Sequence, residues 1–404
     1  MKPATPRPRL DSPTLGLGAL LATLIALGPL STDLYLASLP MLIDVFRTDA
    51  ARVQLTLSVY LAGFAVAQPA YGALSDRFGR RPAMLGGLVI YFLATLGCLF
   101  ATSIDQLIGA RFLQAVGACA GPVLGRAIVR DVWGPVEAAR ALAYISGAMA
   151  LAPLVGPALG GVLTVAFGWQ ANFMLLALFS GVQLVAVWRW LGESNRQPDT
   201  TATRVGRILI NFRILLTDRN YLGCLLGLGL SYSALFAFIS GSSFVLIGWY
   251  GLSPGVYGLS FGGVVAGYIT GTQLAGWLVR QRGADWLLQS GGWLGAVAGA
   301  TMLCLDLAGV HHLAALLVPM FFVAVSVGLV MPNAPALALA PYPGIAGAAS
   351  ALMGFSQMGL AALVGIVVGH GVERSASIMP ITIAACCVLV PCCQLLLARR
   401  TVAG

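Results

Sequence analysis

The chain has 404 residues, of which 58% are hydrophobic and 9% are charged, and its formal net charge at pH 7 is +9. A soluble domain carries roughly 25% charged residues, so this chain has too few charges to cover a water-exposed surface. The composition therefore excludes an ordinary soluble enzyme, a disordered protein and a nucleic-acid-binding module. A membrane-spanning helix needs ~20 apolar residues, and the hydrophobic content suffices for about twelve such helices.

Long apolar runs separated by polar or charged breaks predict twelve membrane-spanning helices. Their length and continuity favour helices over the short alternating segments of a membrane β-barrel. The predicted spans cover residues 15–39, 54–74, 83–102, 107–128, 139–165, 171–191, 220–247, 254–280, 286–307, 313–336, 346–371 and 377–398. The sequence thus predicts an all-α membrane protein.

The longest break between spans, residues 192–219, divides the chain into two sets of six spans. It begins with polar residues and ends with arginines among apolar side chains, a pattern typical of a helix that lies on the membrane surface. Similar glycine spacing in residues 72–79 and 276–283, at matching positions of each set, indicates two pseudo-symmetric six-helix halves. The predicted organisation is an N-terminal tail (1–14), an N-terminal half (15–191), a linker with an interfacial helix (192–219), a C-terminal half (220–398) and a C-terminal tail (399–404).

The basic residues are distributed unevenly between the two sides of the membrane. Twelve spans place both termini on one side, and nineteen of the 23 Lys and Arg residues fall in the tails and loops of that side. Arg47, Arg52 and Arg374 fall on the other side, and Arg111 lies within a span. The positive-inside rule then predicts that both termini and the linker are cytoplasmic. The net positive charge is expected to face anionic lipid headgroups rather than nucleic acid.

The loop after the second span has the sequence Gly72-Ala-Leu-Ser-Asp76-Arg77-Phe-Gly79-Arg80-Arg81-Pro82. It resembles the signature loop of the major facilitator superfamily, between the second and third helices. The resemblance implies the major facilitator fold, with twelve transmembrane helices in two pseudo-symmetric halves. It also implies a loop that latches the cytoplasmic sides of the halves together in the outward-open state. The residues assigned to this cytoplasmic gate loop and its partner are Gly72, Asp76, Arg77, Gly79, Arg80, Arg81 and Asp131.

Two further segments carry the same resemblance. Span four contains Arg111-Phe-Leu-Gln114-Ala-Val-Gly117, which is similar to the fourth-helix motif of the superfamily. Residues 152–161 in span five resemble the antiporter motif of exporters that exchange substrate for protons. Its small residues are expected to allow close packing between the halves, and its proline to bend the helix. The residues assigned to this motif are Pro153, Gly156, Pro157, Gly160 and Gly161.

Asp33, in residues 31–40 of span one, is the only acidic residue predicted to lie deep within a span. A charge inside a bilayer is costly, and it marks a functional group by default. Together with residues 54–58 and 68–72 of span two, this segment resembles the bicyclomycin-resistance (Bcr/CflA) branch of the twelve-span drug:proton antiporters. That branch includes chloramphenicol and florfenicol exporters, so the resemblance implies export of small drugs.

Asp33 and Arg111 form the predicted proton-coupling pair. At ~1.5 Å per helical residue, both lie at a similar depth in the outer part of the membrane. The hypothesis is that a proton on Asp33 releases Arg111 and that loss of the proton restores the ion pair. Two structural alternatives stay open: a lasting ion pair that only fixes span one against span four, and an Arg111 side chain that reaches outward to the interface.

The substrate cavity is predicted to be mainly apolar and aromatic. Its candidate residues are Asp33, Tyr35, Arg111, Gln114, Tyr232, Phe236, Phe238, Met331 and Asn333. We expect no catalytic residues and no metal site, because the eight cysteines fall in apolar runs as packing residues and the three histidines are scattered. The sequence has no Gly-x4-Gly-Lys-Ser/Thr loop, so we expect a proton gradient, and no cofactor, to supply the energy.

The predicted function is proton-coupled efflux of small amphipathic antibiotics, phenicol- or bicyclomycin-like, by alternating access in the bacterial cell inner membrane. The expected partners are a small-molecule drug, protons and membrane lipid, and the expected oligomeric state is a monomer. A narrow-specificity exporter of a metabolite such as a sugar or nucleoside is an alternative, and a proton symporter is another. An intramembrane enzyme would need a buried nucleophile or paired carboxylates, and a receptor or scaffold would not need a cavity-facing acid–base pair.

Overall fold

A computed structural model describes residues 14–149, 151–195, 205–310, 312–342, 345–372 and 374–397. The regular elements of these residues are helices, which confirms the all-α prediction. The helices of the first part are α1 (Leu15–Asp33), α2 (Leu39–Phe46), α3 (Ala50–Phe78), α4 (Arg80–Leu99), α5 (Ile104–Ala118), α6 (Ala120–Met149), α7 (Leu151–Phe167) and α8 (Gln170–Trp190). Those of the second part are α9 (Val205–Thr217), α10 (Arg219–Ser243), α11 (Pro254–Arg282), α12 (Ala284–Leu307), α13 (Leu313–Leu339), α14 (Ala346–Val372) and α15 (Ile378–Leu397).

Ten helical stretches of the described residues are long and apolar enough to cross a membrane. Three of these stretches join consecutive helices: α1 with α2, α5 with the first part of α6, and α10 with the π-helical turn Phe244–Trp249. Two further helices, α7 and α11, pack against each other in the same bundle. The predicted twelve spans require both of these to cross the membrane as well.

We call the two ends of the helix bundle the near end and the far end. The near end contains the start of α1 and the turn at Gly79, and the far end contains the turn of residues 47–49. Polar residues fix where several helices begin: Thr14, Asp49, Ser103 and Ser253 each accept a hydrogen bond from the backbone N–H three residues later. Such caps satisfy N–H groups that have no partner within the helix.

Helix pairing repeats between the two parts of the chain. In the N-terminal half α5 packs against α3 and α4, and in the C-terminal half α13 packs against α11 and α12. The contact of α4 with α8 likewise corresponds to that of α12 with α15. The repeated pairing confirms two six-helix halves of the same construction.

The first apolar run forms three helical pieces, where the sequence predicts one continuous span. α1 ends at Asp33, residues 36–38 form a short 3-10 turn, and α2 follows. The Ser31 and Thr32 hydroxyls donate to carbonyl groups three or four residues earlier, which competes with regular helical bonding. Pro40 has no N–H to donate to the carbonyl group four residues before it. The interruption therefore lies next to the predicted coupling residue.

Helical backbone extends from Ala120 to Met149, where the sequence predicts a break between spans four and five. Alanine, glutamate and arginine in residues 137–140 are strong helix formers, so polar residues that end an apolar run do not end the helix. Most side chains after residue 133 in this helix lie outside the described set.

The halves meet along two helix pairs, α3 with α14 and α7 with α11. At the second contact a methyl group added to Gly258 would lie 3.0 Å from Cα of Ala158. The 3-10 turn after α1 also contacts α10 and α11. The segment that follows Asp33 therefore lies at the boundary between the halves.

Candidate functional site

Asp33 is a buried carboxyl group where the two halves meet. Its residue is 4% exposed, and the Thr32 hydroxyl donates a hydrogen bond to Oδ1 over 3.2 Å. The 3-10 turn that follows α1 contacts α10 and α11 of the C-terminal half. The carboxyl group of Asp33 therefore lies close to elements of both halves.

Arg111 is a fully buried guanidinium group in α5. Its Nη1 donates to the carbonyl oxygen of Ser31 over 3.0 Å and to Oε1 of Gln114 over 2.6 Å. Its Cζ lies 4.3 Å from the ring centre of Tyr60 and 5.1 Å from that of Tyr35, within the range of cation–π attraction. Nε and Nη2 have no hydrogen-bond partner among the described groups. The guanidinium group thus retains two nitrogens that can donate to another acceptor.

The described residues contain no ion pair between Asp33 and Arg111. Arg111 is joined to α1 through the Ser31 carbonyl group, two residues before Asp33. Gln114, which also binds Arg111, donates to Oγ1 of Thr95 over 2.8 Å and so extends the network to α4. Arg111 also does not extend outward to the membrane interface, because its side chain is enclosed.

The predicted residue Tyr35 lies beside Arg111, and the predicted residues Tyr232 and Phe236 lie in α10, which contacts the 3-10 turn after α1. The Tyr35 hydroxyl shares a hydrogen bond of 3.2 Å with Oγ1 of Thr56, and its ring faces Arg111. The rings of Tyr232 and Phe236 stack with centres 6.5 Å apart. Tyr60 and Tyr257 are absent from the sequence-predicted set. A tyrosine within an apolar span is a weak signal, and only the packing places Tyr60 against Arg111 and Tyr257 beside Ser242 and Phe261.

Three predicted cavity residues have their contacts elsewhere in the C-terminal half. Phe238 is fully buried and stacks on Phe261 of α11, with ring centres 5.9 Å apart. Asn333 is buried and donates to a carbonyl group of its own helix over 2.7 Å. The Met331 sulfur accepts from Nε2 of Gln357 over 3.7 Å. In this conformation these contacts are internal to the C-terminal half.

The glycines of the predicted antiporter motif pack against α1 of their own half, and not against the other half as expected. A methyl group at Gly156 would lie 2.7 Å from Cβ of Asp33, and one at Gly160 would lie 1.9 Å from the carbonyl oxygen of Leu34. The reason is that these positions share the face of α7 that meets the end of α1, whereas Ala158 faces α11. The glycines therefore support the Asp33 segment directly.

The other motif residues have separate positions in α7. Gly161 is buried, and Pro157 lies within the helix. The side chain of Pro153 lies outside the described residues.

Arg80 links the predicted gate loop to the end of span four. Its side chain donates to Asp76 and, over 3.1 Å, to Oδ2 of Asp131. Gly79, with a φ of 101°, makes the turn between α3 and α4. Gly72 lies in α3 with no atom within 4 Å of an added methyl group, so it neither forms a turn nor allows a close approach.

Two arginines complete the predicted gate loop. Arg77 lies over the ring of Phe78, with Cζ 5.0 Å from the ring centre. Arg81 donates to the backbone carbonyl group of Trp188 over 2.6 Å.

The beginning of the linker holds the same loop, a role that sequence analysis does not predict. The Glu193 carboxylate accepts from the backbone N–H groups of Arg80 and Arg81 over 2.8 and 3.1 Å and so caps α4. Asn195 donates to the carbonyl groups of Ser75 and Asp76 at the end of α3. We name residues Glu193, Ser194 and Asn195 the linker clasp. A carboxylate directly after a span is the signal that could have indicated it.

Asp218 and Tyr342 connect two near-end segments of the C-terminal half. The carboxylate of Asp218 caps α10 through the N–H groups of Asn220 and Tyr221 and accepts a hydrogen bond from the Tyr342 hydroxyl. This bond from Tyr342 holds the pKa of Asp218 below its usual value. Burial, followed by the bond to Asp218, raises the pKa of Tyr342 to about 12.

The comparisons with known proteins agree with this geometry. Residues 21–396 match the family model described as Major Facilitator Superfamily. The chain is 32% identical over 370 residues to the MFS-type transporter YdgK of Bacillus subtilis, covering 89% of this chain and 91% of that one. It is 30% identical to a chloramphenicol resistance protein of Pseudomonas aeruginosa, covering 83% and 80%. It is 28% identical to a bicyclomycin resistance protein homolog of Haemophilus influenzae, covering 91% and 92%.

The fold is also similar to that of a solved D-xylose–proton symporter. The TM-score is 0.77 with 16% sequence identity, and the match covers 95% of this chain and 98% of that one. At this identity the likeness shows the fold alone. The family match, the motifs and the repeated halves together show that the chain belongs to the major facilitator superfamily. It is a multi-pass membrane transporter similar to drug-resistance proteins.

Proposed function

We propose that the protein exports small amphipathic antibiotics in exchange for protons. The relatives named for chloramphenicol and bicyclomycin resistance support a phenicol- or bicyclomycin-like substrate. The near end is cytoplasmic in this proposal, and the protein acts as a monomer in the bacterial inner membrane. Protons then enter from the far end, down the membrane potential, which supplies ~2.3 kcal/mol per charge for each 100 mV.

One observation carries the proposal. In the part of the chain that the structure describes, Asp33 is the only buried acidic residue, and it lies at the boundary of the halves beside a break in α1. A group that couples a proton to a conformational change must be shielded from bulk water and must contact elements that move. Asp33 is shielded from bulk water, and it lies beside the boundary at which the halves move in this proposal.

The contacts around Asp33 support a mechanism. When Asp33 carries a proton, it is neutral and does not attract a cation, and Arg111 keeps its hydrogen bonds to Ser31 and Gln114. When Asp33 loses the proton, the two unpartnered nitrogens of Arg111 offer it hydrogen bonds. The interruption after α1 allows this segment to shift, and Gly156 transmits the shift to α7, which contacts the C-terminal half. Substrate that enters beside Tyr232 and Phe236 competes with the proton for the same conformational state of the protein.

Transport by the Asp33→Asn variant tests this proposal. The amide has the same shape but cannot exchange a proton near neutral pH, so we expect proton-driven uptake of chloramphenicol into inverted membrane vesicles to fall at least tenfold. In an efflux-deficient host, we expect the native protein to lower chloramphenicol susceptibility and an uncoupler to abolish that protection.

The matched control is Asp44→Asn, which makes the same chemical change at an exposed position of α2. We expect wild-type transport from this variant. Wild-type proton-driven transport by Asp33→Asn would show that Asp33 is not the coupling group.

A further inference from the structure

The contact between α3 and α14 has a glutamine opposite a glycine at each end. At the far end, a methyl group on Gly369 would lie 2.7 Å from Cγ of Gln54. At the near end, a methyl group on Gly354 would lie 1.7 Å from Oε1 of Gln68. The two glutamines are about 21 Å apart along α3. Each side chain therefore lies directly against the backbone of the facing helix.

The two ends differ in how well their polar groups are satisfied. Gln54 is 0% exposed, and both polar atoms of its amide have no hydrogen-bond partner among the described groups. Ser58, one turn further along α3, is also buried without a partner, and a methyl group on Gly365 would lie 2.6 Å from its Oγ. Gln68 keeps 8% of its surface exposed. The unsatisfied polar groups of this helix contact thus lie at the far end.

A buried amide or hydroxyl group without a partner is unfavourable relative to the same group in water. If α3 and α14 separate at the far end, water reaches Gln54 and Ser58 and satisfies both. The closed far end therefore lacks the stability that an apolar contact of the same shape would have. The residues opposite these groups are glycines, which carry no side chain that could act as a partner.

We propose that Gln54 and Ser58 are gate residues that weaken closure of the far end, so that this end opens readily. The polar pair holds the closed and open arrangements of the far end close in free energy. The inference deepens the proposed export function, because release to the outside requires the far end to open. It concerns the gate itself and holds for any substrate.

Hydrogen–deuterium exchange of the full chain in lipid nanodiscs tests this inference without any substrate. Exchange in peptides covering residues 50–58 and 365–372 reports the fraction of time for which the far end is open. Methionine has a similar length and no need for a hydrogen bond, so Gln54→Met is expected to slow this exchange by about tenfold. Gln68→Met, the same change at the near end, is expected to leave far-end exchange unchanged.

A second variant acts in the opposite direction. Gly369→Ala places a methyl group against Gln54 and is expected to separate the helices and speed far-end exchange. Gly359→Ala, in the same helix with no atom within 4 Å of the added methyl group, is the control and is expected to match the native protein.

Far-end exchange that is unchanged or faster in Gln54→Met would overturn the inference. Equal slowing by Gln54→Met and Gln68→Met would also overturn it. Because this measurement needs no drug, its failure is distinct from a failure of drug export. If Gln54→Met does not fold, a failure of Gly369→Ala to speed exchange overturns the inference instead.

Discussion

At the scale of single residues, Arg111 shows how a buried cation is held without a carboxylate. A backbone carbonyl group, a side-chain amide and aromatic rings surround the guanidinium group. These neutral partners satisfy part of its hydrogen-bonding capacity and leave two nitrogens for another acceptor. An arginine arranged in this way can change partners without a large rearrangement of the protein.

A second single contact, between Tyr342 and Asp218, makes stability depend on pH. A carboxylate whose pKa is lowered by folding stabilises the folded state above its unfolded pKa, about 3.9, and loses that contribution as pH falls through the folded value. We expect Tyr342→Phe to lower the unfolding midpoint in detergent by about 2 °C at pH 7. The difference from the native protein should shrink as the solution is acidified and Asp218 takes up a proton, as measured by intrinsic tryptophan fluorescence. A difference that stays the same from pH 7 into the acid range would contradict this assignment.

At the scale of helices, the end of α1 and the glycine face of α7 act as one unit. The carbonyl group of Leu34 follows the end of α1 and is buried, and α7 approaches it closely because Gly160 has no side chain. Glycine weakens a helix, so its presence at this position is explained by the close approach. Asp33, the proposed coupling residue, thus lies between a break in one helix and the glycine face of another.

Substitution of these glycines tests the close approach. We expect Gly160→Ala to destabilise the protein by about 1–3 kcal/mol, because the added methyl group overlaps a backbone oxygen. Gly72→Ala, in an open part of α3, should be neutral or up to about 1 kcal/mol more stable. The measurement is thermal unfolding of both variants in detergent. Equal midpoints for the two variants would exclude close packing at Gly160.

At the scale of the whole molecule, the two halves repeat one pattern of helix pairing but differ at their boundary. The N-terminal half contributes the buried carboxyl and guanidinium groups, and the 3-10 turn after Asp33 contacts α10 and α11 of the C-terminal half. In the proposed mechanism, a change at Asp33 has to cross this boundary to affect the second half.

Orientation in the membrane is a prediction for the whole molecule. With the near end in the cytoplasm, a green fluorescent protein fused after Gly404 should fluoresce, and alkaline phosphatase at the same position should be inactive. Alkaline phosphatase inserted at Gly309, in the far-end turn between α12 and α13, should be active. The reverse pattern would refute the orientation and, with it, the direction of export.

Hydropathy and motifs together predicted the all-helical membrane fold, its two halves and the family. They also identified Asp33 and Arg111, because charges in apolar runs are conspicuous. The break after Asp33 was not predictable from hydropathy, since the apolar run continues through it. The partners of Gly156 and Gly160 depend on how α7 rotates against α1, which no local pattern specifies. Tyr60 contacts Arg111 from another helix, so its place at the site appears only after the helices are packed.

The linker clasp belongs to the linker in sequence but to the N-terminal half in structure. Glu193 and Asn195 come after the last helix of the first half, yet they bind the turn between its α3 and α4. Anyone who recombines halves from two relatives, or expresses them from separate genes, should place the junction after Asn195. A junction before Glu193 would leave the amino end of α4 uncapped and would make a chimera fail for reasons unrelated to drug recognition.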